Sequence, residues 1–120
     1  MLVKRAADCV PFVAIDGCAL RELLHPAHGD CTLPYSLAIA EVAVGGKTHP
    51  HRLDRDEVYL ILQGDARLHV DAETALVAAG AAALIPAHGV QWIENLGSET
   101  LRFAAIVSPP WTAAGDTRVG

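Results

Sequence analysis

The chain has 120 residues, nine Lys and Arg against 14 Asp and Glu, a formal charge of -5 and a pI near 5.6. That length is one domain, 1–120, and lets a chain bury roughly two thirds of its unfolded surface. The acidic balance, with no Lys or Arg run, excludes the electrostatic footprint of a nucleic-acid binder, and no stretch reaches the roughly 20 apolar residues of a membrane helix.

Cys9, Cys18 and Cys31 are odd in number and lack CxxC spacing, so a disulfide framework and a zinc knuckle are both disfavoured. Buried thiols in a reducing compartment are the expectation, and the start of the chain, broken by Asp8, Pro11 and Asp16, is not a signal peptide. These features predict a cytoplasmic protein.

In chain order, Val10 to Ile15 predicts a short strand ended by the Asp16-Gly17 turn signal. Ala19 to Leu24 suits either a strand or one helical turn. His25-Pro-Ala-His28-Gly-Asp30 is a loop with two loop histidines. Ser36 to Val44 predicts a long strand, apolar on both faces and so covered on both. Glu41 falls on the Leu37/Ile39 face, which is either inward or outward. Gly45-Gly46-Lys47 turns the chain into His49-Pro-His51, and Arg52 to Asp56 predicts a bend into a strand from Glu57 to Gln63. Tyr59 shares the face of Glu57. Ala66 to Val70 and Thr74 to Ala78 predict a hairpin with His69 pointing away from its apolar neighbours. Trp92, opposite in parity to Gln91, points outward, and Leu101 onward is a closing strand followed by a packed Trp111 tail.

Two histidines two apart on a strand share a face, and Glu57 returning beside them completes a two-His-one-carboxylate metal set. Gly45, Gly46, His49, His51, Glu57 and Gly64 resemble the first motif of the cupin family, with five residues rather than three or four between His51 and Glu57, and six between Glu57 and Gly64. Gly80, Pro86 and Asn95 resemble the second motif, with five residues between Gly80 and Pro86. The position where the family has its last metal-binding histidine, four before Asn95, is Gln91 here. His88 could replace it only if a bulge at Gly89 corrected its parity.

The resemblance implies an all-β fold, an antiparallel double-stranded β-helix or jelly-roll barrel. Its core would span about 36–108, with N-terminal strands 10–24 packed on it or exchanged with a partner. It implies a divalent transition metal (Fe, Mn, Ni, Zn or Cu) on His49, His51, Glu57 and Gln91. Glu57 and Tyr59 are the candidate catalytic residues, and the expected function is a metal-dependent oxygenase, isomerase or decarboxylase acting on a small polar or anionic molecule. The alternative is a non-catalytic barrel that binds or senses a small ligand, with a degenerate metal site. A homodimer is expected, with Trp92 and the N-terminal segment at the interface.

Overall fold

A computed structural model describes all 120 residues. Two antiparallel sheets face each other. One has the order β1 (Phe12–Val13), β2 (Ala19–Leu24), β3 (Ser36–Val42), β10 (Leu101–Ser108), β5 (Asp56–Gln63) and β8 (Ala82–Ile85). The other runs β11 (Asp116–Arg118), β4 (His51–Leu53), β9 (Gln91–Asn95), β6 (Asp65–Val70) and β7 (Glu73–Ala78). The only helical segments are two 3-10 turns, Ala6–Asp8 and Pro26–His28. This is the expected jelly roll. Ala19–Leu24 is a strand, β2, and it pairs with β3.

Period-two alternation decides which residues enter the barrel. On β5, Glu57, Tyr59 and Ile61 are buried while Leu60 and Leu62 are exposed. On β9, Gln91, Ile93 and Asn95 are buried, and Trp92 and Glu94 face outward. The core between the sheets is built on Phe103, Ile93, Leu101, Ile85 and Ile61. Glu41 lies on the outer face, 3.6 Å from Arg21 and 3.5 Å from Arg102. Strand β3 therefore turns Ala38, Ala40 and Val42 inward.

The motif glycine at 64 has a backbone reason. Its φ is +98°, and a Cβ there would stand 3.3 Å from the Cα of Leu101. Asn95 closes β9 by donating its side-chain N–H to the carbonyls of Val42 (3.1 Å) and Glu99 (2.9 Å), while its Oδ1 accepts the N–H of Gly97.

The Thr48–His51 segment departs from the expected regular strand. Thr48 takes the inward place: it is buried, and its Oγ1 accepts the N–H of Ile93 at 2.9 Å. His49 next to it must then face out, and its N–H goes to the carbonyl of Asp16 at 2.6 Å. Pro50 has no N–H for the ladder, and β4 begins only at His51, which again faces in. The shift of phase at Pro50 puts the two histidines on opposite sides.

Candidate functional site

The buried polar groups gather at one end of the barrel, where β4, β5, β9 and β11 begin. His51 and Gln91 are register partners across β4 and β9. Glu57 reaches them from the opposite sheet, and the Nε2 of Gln91 donates to Oε1 of Glu57 at 2.9 Å. All three are at least nine-tenths buried. Two further residues complete the cluster, and both were missed in the sequence. The Nδ1 of His51 is bonded to Asp116 Oδ1 at 3.0 Å, and Oδ2 of the same carboxylate accepts the Trp111 indole N–H at 3.0 Å. Asp16, in the turn between β1 and β2, accepts the N–H of Cys18 on Oδ1 and places Oδ2 3.3 Å from Nε2 of His51. That approach is a charge contact without hydrogen-bond geometry, so Nε2 remains unpartnered, as does Oε1 of Gln91. The only sequence signal at Asp16 was its Asp-Gly turn; Asp116 had none.

The carboxylates and the burial set the protonation states. Burial pushes the Glu57 carboxyl up to about 7, against the Gln91 hydrogen bond and the nearby His51 charge, which pull it down. Burial opposes a charged His51, but the Asp116 hydrogen bond and the negative charges of Asp16, Asp116 and Glu57 outweigh it and raise the imidazole. Burial, then the Glu57 charge, holds the Tyr59 phenol protonated well above its ordinary range. Cys18 is likewise raised far out of reach by burial and by Asp16, so it is no nucleophile.

His51, Glu57, Tyr59, Asp16 and Asp116 share a cavity with Phe103 and Trp111. It has about 50 Å³ of room for water-sized groups, enough for roughly three to five of them at roughly 10–15 Å³ each. Phe12, 41% exposed, forms the part of the wall that meets solvent.

The four expected metal donors are thus brought together only in part. His51, Glu57 and Gln91 meet. His49 is exposed, its ring packed against Gly17, where an added Cβ would lie 3.3 Å from Cδ2. The Asp16-Gly17 turn accepts the His49 N–H, and its carboxylate meets His51. No three His, Cys, Asp or Glu side chains are gathered as a metal-holding group. The residues as arranged do not fit a centre of two histidines, a carboxylate and an amide. His88, at a φ of 71°, is exposed, and its N–H is spent on the carbonyl of Leu53.

The remaining singled-out residues are structural or on the surface. His25 is buried; Nδ1 accepts the Ala27 N–H, so Nε2 donates to the Trp111 carbonyl at 2.7 Å and ties down the C-terminal segment. His28 pairs with Glu22 at 2.8 Å. His69 stacks on Trp92 at 3.6 Å on the outer face of the five-stranded sheet. Cys9, Cys18 and Cys31 are free. No helix is long and apolar enough to cross a membrane.

The cupin-domain family profile matches residues 38–107. The chain is 36% identical over 113 residues to the uncharacterized protein MJ1618 of Methanocaldococcus jannaschii, covering 92% of this chain and 90% of that one. Among solved structures it resembles the polyketide cyclase RemF of Streptomyces resistomycificus (TM-score 0.82, 20% identity, 100% of this chain and 86% of that one). It also resembles a predicted oxalate decarboxylase of Thermotoga maritima (TM-score 0.74, 21% identity, 90% and 99%). At such identities the structural likenesses establish the fold. With the profile spanning more than half of its residues, the chain belongs to the cupin family.

Proposed function

We propose that this cupin is an isomerase-type enzyme that moves a proton within a small carbonyl-bearing molecule. The observation that carries the reading is a buried carboxyl poised near neutrality, Glu57, sharing a cavity with an imidazole, His51, whose neighbouring carboxylates favour its protonated form and whose Nε2 has no partner. A base near the working pH can both take and return a proton. The carboxylate of Glu57 removes the proton beside the carbonyl, and the bonding pair becomes an enolate. The Nε2–H of His51, aimed by Asp116, donates to the oxygen on which the charge develops. In an α-hydroxy carbonyl compound the neutral Nε2 of His51 then takes the proton of the neighbouring hydroxyl while Glu57 returns its proton to the former carbonyl carbon, so the carbonyl moves by one carbon and both side chains end as they began. Tyr59, held protonated, is a second donor on the same wall.

Hydroxyacetone or aminoacetone in heavy water is expected to take up deuterium beside its carbonyl in the presence of the protein, followed by proton NMR. Glu57→Gln is expected to slow the exchange about 100-fold or more. No exchange above buffer with either compound, or equal rates in the variant, overturns the reading. A barrel that binds such compounds without exchanging them is a binding module.

A second reading rests on the unpartnered atoms. With His51 neutral, its Nε2 lone pair, the Oε1 of Gln91 and the Glu57 carboxylate would hold a divalent transition ion, which supplies Lewis acidity. Elemental analysis then gives one ion per wild-type chain, no ion in His51→Ala and full occupancy in His49→Ala. Loss of the ion in His49→Ala would instead require the exposed histidine to turn inward.

The same proposal includes a homodimer, formed by the outer face of the six-stranded sheet, where Leu60, Leu62 and Leu84 are exposed. This replaces Trp92, which is half-buried against His69, as the interface residue. Light scattering at micromolar concentration is expected to show twice the 12.7 kDa chain mass, and a 12.7 kDa species would refute it.

A further inference from the structure

The cavity has one sign of charge. Four carboxylates reach its wall, Asp16, Glu22, Glu57 and Asp116, against the single imidazole of His51; no Lys or Arg lines it. Glu22, further along the wall, is hydrogen-bonded to His28 Nε2, 2.8 Å away. The other three surround His51, so a single imidazole faces three carboxyl groups in a largely buried space. Such a field repels an anion and attracts a cation.

Two buried atoms, Nε2 of His51 and Oε1 of Gln91, have no partner, and His51 lines the cavity. The rest of the wall is apolar and aromatic: Phe12, Tyr59, Phe103 and Trp111 all line it. Carboxylates together with aromatic rings are the surroundings that hold an organic ammonium group, by charge and by attraction to the rings. The room, roughly three to five water-sized groups, suits a body of about three carbons and a nitrogen.

We infer that the site takes a small protonated amine with a short apolar body, its ammonium group held among Asp16, Asp116 and Glu57, and that it rejects carboxylates. The inference rests on the site assigned above and gives its substrate class. It reverses the expectation of an anionic ligand, because that expectation counted only Glu57 among the charges and placed a metal ion beside it.

The test is a titration of the full chain at pH 7 and low salt, after chelator treatment, with propylammonium, propionate and propanol. The two tryptophan indole N–H resonances are followed by NMR. Trp111 donates to Asp116 and reports on the site, while Trp92 on the outer face is the internal control. Propylammonium is expected to move the Trp111 signal saturably and to leave Trp92 in place, with propionate moving neither. Asp16→Asn, which keeps an oxygen for the Cys18 N–H, is expected to weaken propylammonium about tenfold. Propionate binding as tightly as propylammonium, no movement of Trp111, or unchanged affinity in Asp16→Asn each overturn the inference. Should that variant not fold, the wild-type preference between cation and anion decides alone. Cation binding without deuterium exchange leaves this inference standing and ends the proton-transfer reading; exchange without cation preference does the reverse.

Discussion

Between pH 5 and pH 8 the free protein is expected to lose of the order of 3 kcal/mol of folding stability. The Glu57 carboxyl holds its proton up to about 7 in the fold, against an ordinary value of 4.5. The folded state therefore binds this proton more tightly than the unfolded chain. Stability falls as pH rises above 4.5 and is fully reduced above about 7, by roughly 1.4 kcal/mol for each pH unit of the difference. His51 acts in the same direction. Its folded value is raised above the ordinary 6.5, so its contribution is complete below 6.5 and is lost as pH rises through the folded value. Urea unfolding at pH 5, 6, 7 and 8 measures the combined slope. Glu57→Gln keeps a hydrogen-bonding partner for Gln91 and removes the carboxyl, so its profile is expected to flatten to the His51 share. A wild-type stability that rises with pH, or a variant with an unchanged slope, would show that the burial of Glu57 does not control its protonation.

Removing Asp116 is expected to cost about 3–5 kcal/mol, the range for breaking one side of a buried charge pair. In Asp116→Ala the His51 ring loses its partner on Nδ1 and the Trp111 indole N–H loses its acceptor, both inside the fold. Burial, which opposes the charged imidazole, then meets only the Asp16 and Glu57 charges, and the His51 pKa is expected to fall. Asp116→Asn, which retains an acceptor but no charge, is expected to cost less in stability while still lowering the His51 pKa. Unfolding by urea reads the first effect, and the pH dependence of the His51 ring resonances reads the second. A cost below about 1 kcal/mol in Asp116→Ala would mean that the pair is exposed enough for water to replace it.

Much of the barrel was legible because its signals are local. Alternation along β5 and β9 put Glu57, Tyr59 and Gln91 inside and Trp92 outside before any tertiary contact was known. Gly64 and Asn95 stand where the motif requires them, for reasons of φ and of strand closure. The hairpin of β6 and β7 turns at Asp71, close to where its turn residues indicated. Period-two reasoning failed at His49, because it assumes an unbroken strand. Pro50 interrupts the ladder, and the inward position goes to Thr48, whose hydroxyl satisfies the Ile93 N–H. A threonine before a His-Pro-His run carries no mark of that bond.

The sequence by itself determined the sheet architecture, the inward carboxyl of Glu57 and the substitution of an amide for imidazole at Gln91, since each follows from residue type and spacing along one strand. Only the tertiary structure decided the charge of the site. Asp16 belongs to the turn of the N-terminal hairpin and Asp116 to the last strand; both meet His51 from opposite ends of the chain. Nothing local distinguishes either from a solvated aspartate. Their effect comes from convergence in a space that excludes water, where Coulomb interactions are many times stronger than along an open chain. What pattern could supply was a metal-ligand outline, and what packing added was enough negative charge to change the ligand that outline would accept.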